Sequence, residues 1–133
     1  MKLRNIWIWV LVLMAFNFAG SGAFAESLDG KAFTGDIGQV GKKSSNTDVL
    51  IFENGRLTST GCQKYGFGSG TYKTTSEGDA THFVADTFSE KTGRITWVGT
   101  VSGDNLNATY IWYKKGKYSE PKQIKWFKGT MTK

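Results

Sequence analysis

Few residues in this chain have the types and the spacing that catalysis requires. One histidine, His82, lies in an extended segment between Thr81 and Phe83, and the single cysteine, Cys62, has no histidine near it in the sequence. Metal sites and activated nucleophiles need several such groups together. The chain offers no such set, so we expect neither an enzyme, nor a metal site, nor a cofactor.

The glycine-rich segment at residues 61–70, GCQKYGFGSG, superficially resembles a phosphate-binding loop. No Lys-Ser or Lys-Thr pair follows it and no helix is predicted there, so the groups that would bind phosphate are missing. With Cys62, Tyr65 and Phe67, the segment is instead a candidate lid or contact surface.

Aromatic side chains are the stronger signal. After residue 25 the chain keeps Trp97, Trp112 and Trp126 together with all five of its tyrosines. Such side chains can hold an apolar ligand, but in a small domain they can also simply fill the core, and that simpler interpretation is favoured. For the ligand interpretation, the candidate binding residues are Tyr65, Phe67, Tyr72, Trp97, Tyr110 and Trp112.

The first 25 residues have the three parts of a secretory signal peptide. Lys2 and Arg4 precede an apolar run at residues 6–16, and a stretch of small residues ends in Ala23-Phe24-Ala25, which fits the A-x-A cleavage rule. The apolar run is shorter than the roughly 20 residues of a membrane-spanning helix. We therefore expect cleavage after Ala25, no stable membrane span afterwards, and a periplasmic or secreted protein.

Residues 26–133 then form one domain, since 108 residues suffice for a single hydrophobic core. Without Lys2 and Arg4, the 17 basic residues fall to 15 against 11 acidic ones, a net charge of +4. The excess lies late in the chain, in six lysines: Lys114, Lys115, Lys117, Lys122, Lys125 and Lys128. We expect these lysines in solvent around a turn and a strand edge, although such a cluster can attract anionic lipid or polysaccharide. Nucleic acid is not an expected partner, because no binding motif accompanies the charge.

Runs of β-branched and aromatic residues alternate with turn signals along the whole domain, and helical periodicity is missing. Asn54-Gly55 between two such runs is typical of a type I′ hairpin turn. The pattern predicts strands at residues 31–40, 49–53, 56–60, 71–75, 81–89, 94–102, 106–115 and 123–132. Closure of these strands would remove exposed sheet edges, so we predict an all-β fold, a single antiparallel up-and-down β-barrel of about eight strands.

Alternation along the strands predicts which side chains point inward. Phe83, Ala85 and Thr87 share one face of the fifth strand, and Trp97, Val101, Tyr110 and Trp112 are expected inside the barrel. The eighth strand is ambiguous, because Trp126 and Phe127 are adjacent and must face opposite ways.

Three features stand out beside the strand pattern: the opening LDGKAFTG at residues 28–35, the hairpins at Asn54-Gly55 and Asp104-Asn105, and WVGTV at residues 97–101. With these features the sequence resembles the calycin type of barrel, which includes lipocalins, fatty-acid-binding proteins and avidins. Phe33 stands where the usual Gly-x-Trp opening has tryptophan. The stretch from Phe52 to Phe67 and on to Trp112 also resembles small exported bacterial proteins without an assigned function.

The resemblance implies a binding module for a small apolar or amphiphilic molecule, and it carries over no catalytic residue. The alternative is a protein-binding module, such as an inhibitor of an exported hydrolase. That function would use a projecting segment, for which residues 26–32 and 61–70 are the candidates.

Overall fold

The computed structural model describes residues 27–133, so the predicted signal peptide and Glu26 lie outside the described residues. Eight antiparallel strands follow one another around a closed barrel, which confirms the predicted fold class. They are β1 Ala32–Gln39, β2 Asn46–Glu53, β3 Arg56–Ser59, β4 Gly70–Glu77, β5 Ala80–Ser89, β6 Gly93–Ser102, β7 Asn105–Lys114 and β8 Gln123–Met131. No helix in this part of the chain is long and apolar enough to cross a membrane.

The predicted strand boundaries hold to within three residues. β2 begins at Asn46 instead of Val49, and β4 continues to Glu77 instead of ending at Thr75. The added residues are polar, and they pair all the same because a β-ladder uses only backbone groups. The Asn54-Gly55 turn has positive φ at both residues, 51° and 73°, as a type I′ turn requires.

The segment at residues 61–70 is more regular than the sequence indicated. A 3-10 helix covers Thr60–Tyr65 and ends at Gly66, whose φ of 90° lies in the left-handed region that favours glycine. Gly70 already belongs to β4. This helix crosses one end of the barrel, which we call the open end. The open end also carries the connections at residues 40–45, 90–92 and 115–122.

The other end, which we call the closed end, has two-residue turns and is sealed by the segment before β1. Leu28 is 1% exposed there. The next residue, Asp29, accepts hydrogen bonds from the Tyr72 hydroxyl at 2.6 Å and from the Gly55 amide at 2.9 Å. These two bonds, in that order of effect, lower the pKa of the Asp29 carboxyl. The Leu28 amide donates to the same tyrosine oxygen at 3.1 Å, so Leu28 is held in place as a plug.

Large inward side chains fill the barrel interior between the plug and the middle of the strands. Trp97 is completely buried, stacks on Tyr110 with 4.2 Å between ring centroids, and donates from Nε1 to Thr87 Oγ1 at 3.4 Å. The inward faces predicted for β5, β6 and β7 are confirmed, and Trp112 is half-buried near the open end. The most deeply buried aliphatic and phenylalanine side chains are Leu28, Phe33, Leu50, Phe52, Leu57, Phe83, Leu106 and Phe127.

The ambiguity in β8 is resolved by the seam with β1. Phe127 is buried inside, whereas Trp126 lies on the outer surface over Gly38 and donates from Nε1 to the Gln39 and Lys42 carbonyls, each at 3.1 Å. A side chain at Gly38 would strike the Trp126 ring. This packing explains the glycine next to the last residue of β1.

Replacing Trp97 with Ala should lower the free energy of unfolding by roughly 3 to 5 kcal/mol, because it removes a fully buried ring from a stacked pair. The matched control is Val98→Ala, whose side chain is 53% exposed on the outer face. That change should cost no more than about 1 kcal/mol. Urea unfolding of both variants makes the comparison, and equal losses would show that the assignment of the barrel interior is wrong.

Candidate functional site

A cavity of about 440 Å³ opens at the open end of the barrel. That volume falls within the range of about 300 to 1,000 Å³ that is usual for small-molecule sites. Its floor and walls come from inward residues in the half of the barrel nearest the open end. The 3-10 helix forms one side of the rim. The barrel is therefore filled in its closed half and hollow at the open end.

The larger part of the cavity surface is apolar, and apolar side chains from four parts of the chain contribute to it. Ile37 of β1, Ile95 of β6, Trp112 of β7 and Phe67 after the 3-10 helix all line the cavity. The Trp112 ring is fixed by a hydrogen bond from Nε1 to the Thr92 carbonyl at 3.0 Å. An aromatic ring held in one position offers contact area at little entropic cost on binding.

The 3-10 helix is anchored at its start by a buried carboxylate. Asp48 of β2 is 4% exposed and accepts from Ser59 Oγ at 2.5 Å, from the Gly61 amide at 2.7 Å and from Thr60 Oγ1 at 3.3 Å. The Val49 amide adds a fourth donor at 2.7 Å. Four donors compensate the charge of a carboxylate that is buried away from solvent.

The end of the same helix is anchored to the turn between β5 and β6. The Tyr65 carbonyl accepts from Ser89 Oγ at 2.9 Å and from Thr92 Oγ1 at 2.8 Å. Ser89 is itself 6% exposed and accepts from the Thr92 amide at 3.0 Å. The helix is thus fastened across the cavity rim at both ends.

Two weakly acidic groups face the cavity, and both stay protonated at neutral pH. Burial raises the pKa of the Cys62 thiol, and the nearby Asp48 charge adds to this, while a hydrogen bond with Ser59 and the charges of Lys125 and Lys64 oppose it. Burial is also the main reason that the pKa of Tyr110 is raised, with smaller contributions from Cys62 and Asp48. Tyr110 therefore presents a neutral O–H group and Cys62 a thiol of low nucleophilicity.

One of the six lysines near the C-terminus is not in solvent at a turn or a strand edge, where the sequence analysis placed all six. Lys125 is only partly exposed and lines the cavity, whereas the other five are exposed to solvent. The register explains the difference, because Lys125 lies opposite Tyr110 in the β7–β8 ladder and shares its inward face. The expectation that this lysine lies in a solvated turn or edge is wrong, since β8 pairs with β1 and is no edge.

The six candidate ligand residues from the sequence fall into two groups. Tyr65, Phe67, Tyr110 and Trp112 line the cavity together. Trp97 lies beneath Tyr110 in the filled core. Tyr72 lies at the closed end, where its hydroxyl holds the plug.

Sequence reasoning did not single out Asp48 or Lys125 for the site. Lys125 and Phe127 are two residues apart in β8, so their side chains lie on the same face of the strand. A prediction that Phe127 points inward would therefore have placed Lys125 inside as well. The sequence contained only a weak indication of the role of Asp48. Its hydrogen-bond donors, at Ser59, Thr60 and Gly61, are more than ten residues away and reach the carboxylate only in the folded chain.

His82, the single histidine, takes no part in the cavity. It lies on the outer face, with Nε2 2.7 Å from Glu77 Oε1 and Nδ1 2.8 Å from Thr100 Oγ1. Both ring nitrogens therefore have protein partners, as a structural surface histidine would.

Comparison of the chain with protein-family models, with curated proteins and with solved structures finds no significant match. The closed antiparallel barrel of eight strands is compatible with the calycin type. The geometry of the open-end cavity is thus the observation on which a functional proposal rests.

Replacing Asp48 with Ala should lower the free energy of unfolding by about 1 to 3 kcal/mol, because the Ser59 hydroxyl and the Gly61 amide lose their acceptor. Amide hydrogen exchange in the 3-10 helix should accelerate at the same time. Asp86→Ala is the control, since Asp86 is exposed and accepts one bond, from Thr96 Oγ1. If both variants exchange at the wild-type rate at Gly61, Asp48 does not anchor the helix.

Proposed function

We propose that this chain is an exported calycin-like barrel that binds a small apolar or amphiphilic molecule in the open-end cavity. The observation that carries the proposal is an apolar-walled cavity of about 440 Å³ in a barrel whose opposite end is sealed by Leu28. Burial of a ligand against Ile37, Ile95, Phe67 and Trp112 would supply the binding free energy through the hydrophobic effect. The proposal assigns no catalytic residue.

The shape of the molecule supports entry of a ligand from one side. Two-residue turns and the Leu28 plug close one end, whereas the longer connections and the fastened 3-10 helix surround an opening at the other. Because the helix is held by Asp48 at its start and by Ser89 and Thr92 at its end, the rim is formed before a ligand arrives. A preformed rim reduces the ordering cost of binding.

A protein-binding module is the second candidate, favoured by one observation. Phe88, Val84 and Val98 are 61%, 49% and 53% exposed on the outer face of the neighbouring strands β5 and β6. However, the two segments that were expected to project are both attached to the barrel. Leu28 is buried in the closed end, and the 3-10 helix is hydrogen-bonded to the open end. These contacts support the small-molecule function over the inhibitor function.

The test uses N-phenyl-1-naphthylamine, a neutral apolar fluorescent probe, with the chain from residue 26 onward. The wild type should bind one probe per chain, and Trp112→Ala should weaken that binding about tenfold, because it removes one aromatic wall of the cavity. Trp126→Ala is the matched control, since the same change is made on the outer surface.

Fluorescence titration of the wild type and the two variants shows whether the probe binds in the open-end cavity or on the outer face near Trp126. Wild-type affinity in Trp126→Ala, together with the loss in Trp112→Ala, supports the cavity. A loss in Trp126→Ala alone would place the probe on the outer face, and the absence of binding to the wild type would remove the proposed function.

A further inference from the structure

The inward position of Lys125 is unusual for a barrel wall of this composition. Along β8 the inward residues are Gln123, Lys125, Phe127, Gly129 and Met131, of which Phe127 and Gly129 are buried. Lys125 also lies opposite Tyr110 in the neighbouring strand, so both side chains leave the sheet on the cavity side. An ammonium group is thereby directed into the hollow part of the barrel, whereas a lysine in a purely structural role is usually placed outside.

No acidic group within residues 27–133 forms an ion pair with Lys125. The ion pair in this part of the chain joins His82 to Glu77 on the outer face. Asp48 is the one carboxylate in the cavity wall, and its two oxygens already accept four hydrogen bonds from the chain. Lys64, the other cavity lysine, lies over the Tyr65 ring at 5.3 Å. The cavity thus contains more positive than negative charge, and the Lys125 ammonium is available to a ligand.

The Tyr110 hydroxyl is a second donor without an acceptor. Tyr110 is 4% exposed, lines the cavity, and makes no side-chain hydrogen bond to any residue between 27 and 133. Within residues 27–133, Arg94 Nε is the one fully shielded side-chain nitrogen or oxygen that lacks a hydrogen-bond partner, so the Tyr110 hydroxyl is accessible from the cavity and can bond a ligand there. The hydroxyl keeps its proton at neutral pH, so what it can offer a ligand is a hydrogen-bond donor.

We propose that the ligand of this cavity is an amphiphile with a single acidic head group, a carboxylate or a phosphate, which is bound by Lys125 and Tyr110. The apolar part of the ligand then contacts Ile37, Ile95, Phe67 and Trp112. This inference rests on the proposed function, since it names the chemical class of the ligand of the same site. A point charge and a neutral O–H group suit an anion, because the ammonium offers donors only and the hydroxyl can turn its proton toward the head group.

Competition against the neutral fluorescent probe tests the inference with three ligands of one chain length, each below its micellar concentration. They are dodecanoate, dodecyl phosphate and dodecanol. In the wild type, the better of the two anions should bind at least about tenfold more tightly than dodecanol, because a charge-assisted hydrogen bond in a partly buried site is worth that factor or more. The ranking of the two anions identifies the head group.

Lys125→Met keeps the length and volume of the stem and removes the charge. It should lower the affinity for the preferred anion at least about tenfold and change the affinity for dodecanol less than threefold. Tyr110→Phe should lower anion affinity by a smaller factor, since it removes one neutral donor. Lys128→Met, three residues along β8 and exposed on the outer surface, is the matched control and should behave as the wild type does.

The outcomes separate this inference from the proposed function. If the wild type binds dodecanol as tightly as both anions, and Lys125→Met does not change the anion affinities, Lys125 merely extends to solvent and the inference is wrong, although the cavity still binds apolar molecules. If none of the three ligands displaces the probe, the ligand class is wrong. If Lys125→Met fails to fold, the wild type still provides the test. Equal affinity of the wild type for dodecanol and for both anions would contradict the inference.

Discussion

The antiparallel ladder between β1 and β8 turns a row of eight strands into a barrel, and both the core and the cavity depend on that closure. At the seam, Gly35 lies opposite Gly129 on the inner face. A Cβ atom at Gly35 would collide with the Lys128 carbonyl, so no other residue would let the two strands approach as they do. Closure lets the inward side chains of the filled half pack against the far wall, and it gives each strand a paired neighbour on both sides.

The two ends of the barrel differ, and this difference produces the site. At the closed end, Tyr72 and Asp29 hold Leu28 over the aromatic core. At the open end, the 3-10 helix is attached to the rim, so the chain itself does not fill the space beneath the helix. A small domain buries a smaller fraction of its surface than a large one does, so its core is the main source of stability. Filling one half with Trp97 and its neighbours, and leaving the other half open, combines a stable core with a cavity.

Much of the fold could be predicted from the sequence, and the site only in part. Alternation in β5 to β7 and the Asn54-Gly55 turn were sufficient for the barrel, because these signals are local. The role of Tyr72 was not predictable in this way, because the end of the barrel at which a residue lies depends on the stagger between strands. β4 begins opposite Leu57 and runs toward the closed end, which places Tyr72 there. The inward position of Lys125 was not predicted, because the adjacent aromatic residues Trp126 and Phe127 did not show which face of β8 points inward.

Ligand binding in the open half of the barrel is tested most directly by NMR of the isoleucine methyl groups in the wild type. Ile37 and Ile95 line the cavity, whereas Ile111 and Ile124 lie on the outward face of β7 and β8, so the protein carries its own controls. With N-phenyl-1-naphthylamine bound, nuclear Overhauser contacts from the probe should appear at the Ile37 and Ile95 methyl groups and not at Ile111 or Ile124. Contacts confined to Ile111 and Ile124 would show that the outer surface, and not the barrel interior, binds the ligand.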